Sequence, residues 1–182
     1  MINAKLEVLP SEQLTHFLAE INREFEPINF SKVVHGYQMA NTNRGDYYLL
    51  SNDVADDFLS LKLTERALVH TGIFFGHKGA RFALSLEVVD FVYLTLTPSE
   101  KERICVKVTA EQAKGVLYGN SVEGVLLDSQ ITDNWRPEKR YIIVDDVSDP
   151  IGIGRLERDE TWRLVPIVDL GQYLRSEDKG MF

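Results

Sequence analysis

Arg155, Arg158 and Arg163 stand at short spacing around one expected hairpin, and Arg136, Lys139 and Arg140 precede another expected strand. Trp135, Tyr141, Trp162 and Tyr173 are interleaved with these cations. Guanidinium and ammonium groups hold phosphates, and exposed aromatic rings stack on bases, so single-stranded RNA could use this combination. A plainer account stands beside it. Glu138, Asp159 and Glu160 can neutralise the cations, and the aromatics can fill a small barrel. Composition leaves both accounts open.

Signals for catalysis are weaker. Gly152-Ile153-Gly154 begins like a dinucleotide fingerprint, but Glu157 stands where the third glycine belongs and no long apolar helix pattern follows. A strand whose glycines permit close backbone approach explains the pair, and RNA backbone passing over a glycine surface is a third reading. Gly76-His77-Lys78-Gly79-Ala80-Arg81 lacks P-loop spacing and reads as a hairpin turn with solvated charges, or as a second RNA-contacting loop. His16, His35, His70 and His77 fall at no ligand spacing, and no serine lies in G-x-S-x-G. Cys105 is the single cysteine and sits mid-strand, which predicts a buried, inert thiol. Asp145, Asp146 and Asp149 lack calcium-loop spacing and read as a turn before Pro150. The expectation is a protein that is not an enzyme and needs no cofactor or metal.

These residues need a scaffold. The chain has 182 residues, 44% of them hydrophobic and 26% charged, the balance of a globular protein with one large or two small domains. Net charge is -8 and the pI is about 5.0, which excludes coating nucleic acid by bulk electrostatics but not through a local patch. The acidic excess is even, with 8 basic and 12 acidic residues in 1–97 and 12 and 16 in 98–182. One cysteine fits a reducing cytoplasm. No signal peptide and no run of roughly 18 apolar residues is present, so a membrane role is not expected.

Leu14, Phe17, Leu18, Ile21 and Phe25 recur at helical spacing, predicting a helix over Ser11 to Phe25. Strands are expected at Lys32 to Met39 and Asp46 to Leu50, joined by a loop over Asn41 to Gly45. A short helix should follow from Asp53 to Leu59, capped by Asn52 or Asp53. Ala67 to Phe75 and Arg81 to Leu84 read as paired strands, and Leu86 to Leu94 as a helix capped by Ser85. Leu96 to Glu102 marks a domain boundary. Beyond it, strands are expected at Arg103 to Val108, Val122 to Leu127, Tyr141 to Val144, Ile151 to Leu156 and Trp162 to Val168. A helix over Ala110 to Tyr118 should end near Gly119, Leu170 to Leu174 suggests a final turn, and Ser176 to Gly180 is a polar tail. This is an α+β chain: an N-terminal α/β domain over residues 1–95 with a mainly antiparallel sheet, and a small closed or nearly closed β-barrel over 99–176.

The C-terminal segment resembles the PUA domain, a small RNA-binding barrel. The resemblance rests on Val116-Leu117-Tyr118-Gly119-Asn120-Ser121-Val122, on Tyr141-Ile142-Ile143-Val144 and on Pro150-Ile151-Gly152-Ile153-Gly154. The chain as a whole is similar to the ribosome-biogenesis family called nip-seven, archaeal-like in lacking a basic nuclear-targeting run. Gly72-Ile73-Phe74-Phe75-Gly76, Phe82-Ala83-Leu84, Asp90-Phe91 and Asp169-Leu170-Gly171-Gln172-Tyr173-Leu174-Arg175 fall in matching order. The resemblance implies an N-terminal domain before a PUA-type β-barrel and binding to uridine-rich, pre-ribosomal RNA. It also implies a non-catalytic part in rRNA processing and large ribosomal subunit assembly, beside ribosomal or assembly proteins. A cytoplasmic location follows, or a nucleolar one in a eukaryote. Arg155, Arg158 and Arg163 are then the RNA contacts, Arg136, Lys139 and Arg140 extend the track, and Gly119 with Asn120 lets RNA approach a helix end. The alternatives are a scaffold that docks basic ribosomal proteins and an accessory subunit of an RNA-modifying enzyme.

Overall fold

The computed structural model describes residues 6–61, 72–79 and 82–171, with side chains over 7–56, 72–79 and 82–171. Packing divides the chain into two compact units: Met1–Asn22 with Asn29–Val88, and Arg23–Ile28 with Val89–Phe182.

The first unit holds a five-stranded sheet in which each strand pairs antiparallel with the next in sequence. The strands are β1 (Leu6–Val8), β2 (Tyr37–Thr42), β3 (Asp46–Ser51), β4 (Ile73–Lys78) and β5 (Phe82–Leu84). Helix α1 (Ser11–Glu24) turns Phe17, Leu18 and Ile21 inward, the face its spacing predicts. Phe17 stacks on Tyr47 with ring centroids 4.5 Å apart and meets Phe82 edge-on at 5.0 Å, while Phe75 joins Phe30 and Phe82. This aromatic nucleus ties the helix to the sheet, each buried ring contributing about 1.5–3 kcal/mol.

The expected strand over Lys32 to Met39 opens with the end of a helix and a turn, and only Tyr37 to Met39 is strand. Residues Phe30–Val33 form α2, because Asn29 caps the turn by accepting from Ser31 N at 3.1 Å, and a helical turn buries Phe30 and Val33 together. Gly36, at φ 86°, then redirects the chain into β2. Helix α3 (Asn52–Leu61) starts as expected, although Ser51 Oγ, rather than Asn52 or Asp53, accepts from Val54 N. Strand β4 runs through His77 and Lys78, where the glycine spacing predicts a turn, and His77 Nδ1 lies 2.7 Å from Asp46 Oδ1. Ala67 to Thr71, Ala80 and Arg81 lie outside the described residues. Ser85 Oγ caps α4 (Leu86–Thr95) by accepting from Val88 N.

The boundary expected at Leu96 to Glu102 carries a helix, α5 (Pro98–Ile104). Thr97 and Glu100 close a reciprocal capping box and Pro98 occupies the first turn, enough local stabilisation to nucleate a short helix. The following strand is therefore only β6 (Cys105–Lys107). Helix α6 (Ala110–Leu117) starts in a second capping box, Thr109 with Gln112. Gly124, at φ 66°, stops β7 at Val122–Glu123 and shortens the strand expected to reach Leu127. Asp128 caps α7 (Ser129–Asp133), and β8 (Tyr141–Val144), β9 (Pro150–Arg158) and β10 (Trp162–Asp169) follow.

The second sheet runs β6-β8-β9-β10-β7, antiparallel except for the parallel β6–β8 pair. Its end strands are not paired with each other among the described residues, so the sheet is a curled half-barrel rather than a closed one. Helix α6 packs against β7, β9 and β10, adding Ala113 and Val116 to a core of Val106, Tyr141, Ile143, Leu156 and Leu164. The final turn at Leu170 to Leu174 is described only through Gly171, and the tail at Ser176 to Gly180 lies outside the described residues.

Candidate nucleic-acid interface

The β9–β10 hairpin positions the late arginines. Leu156 and Leu164 are buried on its inner side, and strand alternation sends Arg155, Glu157 and Arg163 to the outer face. Gly154 makes the inner side possible, since a Cβ there would lie 2.9 Å from Leu164 Cδ1 and 3.0 Å from Ile143 Cδ1. At Gly152 the obstacle would be the Val168 carbonyl, at 2.7 Å. The two glycines therefore serve close packing within the sheet, which removes the nucleotide reading and leaves little space for RNA over their hydrogens.

Register places Arg163 opposite Glu157, and the two strands hold a three-residue ion cluster. Arg155 Nε and Nη2 donate to Glu157 Oε1 at 3.1 and 2.7 Å, and Arg163 Nη2 donates to Oε2 at 2.6 Å. The hydrogen bonds from Arg163 and then Arg155 hold the Glu157 carboxyl below the usual carboxylate range. Two guanidinium groups thus converge on one anion and carry a net charge of about +1 with it. Arg158 projects over the Trp162 ring, 5.2 Å from its centroid. Trp162 in turn meets Trp135 edge-on at 5.6 Å, and Trp135 Nε1 donates to the Leu156 carbonyl at 3.1 Å.

The earlier basic group has a different fate. Lys139 is 1% exposed and Arg140 7%, so neither extends an exposed track as expected; both face inward. Lys139 Nζ donates to the Arg103 carbonyl at 3.4 Å, and burial lowers its pKa, with Glu26 opposing that fall and Arg103 and Arg136 adding to it. Arg140 reaches Glu24, and Arg136 is half-exposed on Glu26.

Gly119 and Asn120 close α6. Asn120 N–H donates to the Gly115 carbonyl at 2.9 Å and Gly119 N–H to Val116 at 2.8 Å, a Schellman motif with Gly119 at φ 76°. Their sequence signature is thus a helix stop, which leaves both residues exposed where RNA contact was expected. The adjoining Tyr118 is 72% exposed, a base-stacking candidate that sequence reasoning missed because its spacing also suits a core position. Among the aromatics named from sequence, Tyr141 belongs to the core and burial raises its phenol pKa to about 12, while Tyr173 lies outside the described residues. Burial likewise pushes the Cys105 thiol up to about 12, against a smaller opposing effect of Lys101, so it is a poor nucleophile at neutral pH.

Comparison with known proteins assigns the class. Residues 104–178 match the family described as the UPF0113 PUA domain. The chain is also similar to a solved structure of a conserved PUA domain protein from Thermoplasma acidophilum, with a TM-score of 0.55 and 13% identity over 94% of this chain and 99% of that one. At that identity the likeness shows the fold. No curated protein matches the sequence. The C-terminal half-barrel is thus a PUA domain, a fold that binds RNA, preceded by an α/β unit with an antiparallel sheet. Among the described residues no helix is long and apolar enough to cross a membrane.

Proposed function

We propose that this protein is a non-catalytic RNA-binding assembly factor for the large ribosomal subunit, of the nip-seven type, acting in pre-ribosomal RNA processing. The observation that carries the RNA reading is the β9–β10 hairpin of a PUA fold, with Arg155 and Arg163 on its outer face and Arg158 over the Trp162 ring on the other side. Phosphates would exchange with Glu157 for the guanidinium groups of Arg155 and Arg163, and Arg158 would add a third contact. Gly119 and Asn120 mark a helix end where backbone can come close, with Tyr118 offering a ring to a base. Arg136 extends this surface, while Lys139 and Arg140 support it from within. The ribosomal role rests on the family resemblance of the sequence, and it makes pre-ribosomal, uridine-rich RNA and ribosomal or assembly proteins the expected partners.

The test is a fluorescence-anisotropy titration of uridine-rich RNA against an adenosine-rich control at two salt concentrations. Salt-sensitive binding that favours uridine is expected. Absence of binding at micromolar protein would refute the reading and favour a scaffold that docks basic proteins.

A further inference from the structure

A second set of charges lies away from the hairpin's ion cluster. The segment Arg23–Ile28 packs with the C-terminal unit and brings two carboxylates to four cations. Arg136 Nη2 lies 2.5 Å from Glu26 Oε2, and Arg103 Nη2 lies 3.8 Å from Oε1 of the same carboxylate. Arg140 Nε is 3.7 Å from Glu24 Oε2, and Lys139 is buried behind Arg103, bonded to its carbonyl. Four cations and two carboxylates leave +2 in a protein whose net charge is -8.

We propose that Arg103 and Arg136 form a phosphate-binding site whose internal occupant is the Glu26 carboxylate. The two guanidinium groups address different oxygens of one anion, and the Arg103 pair, at 3.8 Å, is too long for a hydrogen bond. A phosphate, with more acceptor oxygens and more charge, satisfies both forks. Lys139 and Arg140 do not touch the ligand; they supply positive potential from low-dielectric surroundings, where it is poorly screened. Burial chiefly disfavours the charged form of Lys139, Glu26 opposes this, and Arg103 and Arg136 add a repulsion that an added anion relieves. Glu26 is not needed to dock its own segment, because the Arg140 N–H already donates to the Glu24 carbonyl at 2.7 Å. The Glu26 side chain is 52% exposed and free to swing into solvent. Arg136 follows Trp135, whose ring meets the Trp162 ring that Arg158 covers, and RNA is one source of the phosphate. Free phosphate is the other source of the same chemistry.

The site goes beyond the RNA reading and is tested apart from it. Wild type, Glu26→Gln, Arg136→Ala and the double variant, all full chains, are titrated with inorganic phosphate and with a single-stranded uridine 12-mer. Removing one half-exposed competing ion pair should tighten phosphate binding about 1.5- to 5-fold in Glu26→Gln. Arg136→Ala should abolish that gain. Tightening in both arms assigns the site to RNA phosphates, and tightening with inorganic phosphate alone assigns it to a free anion. No gain in either arm, or a gain that survives in the double variant, overturns the proposal. Should Glu26→Gln melt below wild type, phosphate binding by Arg136→Ala decides, and undiminished affinity there overturns it. Loss of uridine binding with phosphate binding intact would sink the RNA reading and leave this site standing.

Discussion

Replacing Arg155, Arg158 and Arg163 together by alanine removes every guanidinium group from the β9–β10 hairpin. Each arginine that meets a phosphate makes a charge-assisted hydrogen bond contributing about 1.5–3 kcal/mol net. Arg155 and Arg163 must first leave Glu157, and giving up these solvent-screened pairs takes back part of that gain. About 1 kcal/mol per arginine remains, so the triple variant should bind uridine-rich RNA on the order of 100-fold more weakly at low salt. The salt dependence gives a second figure. Three phosphate contacts on a single strand contribute about -2 to the slope of log affinity against log salt, so the gap between wild type and variant should narrow by about 20-fold between 50 and 200 mM salt. Anisotropy titrations over that range measure both. Equal slopes, with affinities within about twofold, would show that phosphates are held elsewhere and would refute the placement.

Lys139→Met should flatten stability against pH in urea titrations. The pKa of Lys139 is lowered in the fold, so between that value and about 10.4 the unfolded chain binds more protons at this site and Lys139 contributes stability that rises with pH. The variant loses this contribution, while both proteins keep the opposing fall from Cys105, whose thiol is raised to about 12 in the fold and ionises from about 8.5 when unfolded. Above about pH 10 both proteins should weaken, because Tyr141 keeps its proton to about 12 when folded and gives it up earlier when unfolded. Gly119→Ala places a side chain at φ 76° and should cost about 1 kcal/mol, with Gly119→Asn costing less, as urea midpoints would report. Gly154→Ala pushes a methyl against Leu164 and Ile143 and should cost about 1–3 kcal/mol, seen as a lower Tm; an unchanged Tm would show that the sheet yields there.

Sequence alone determined what short-range energies control. Helical spacing in α1, the Ser85 cap, the stop at Gly119 and the alternating β9–β10 hairpin could be read because each depends on residues within a few positions of one another. The α+β class and the PUA likeness followed from the order of such elements. Local capping also explains two misreadings. Asn29 and the Thr97–Glu100 box made helices where apolar content suggested a strand and proline suggested a boundary.

Only the tertiary structure decided which charges are available. Arg155, Arg158, Arg163, Arg136, Lys139 and Arg140 look equivalent in sequence. In the fold, strand register gives Arg155 and Arg163 to Glu157, chain packing gives Arg136 to Glu26, and Lys139 is buried. The Glu26–Arg136 pair is 110 residues apart. A charge's availability depends on its burial and nearest counter-charge, and both are set by which distant segments pack together, which no local pattern encodes.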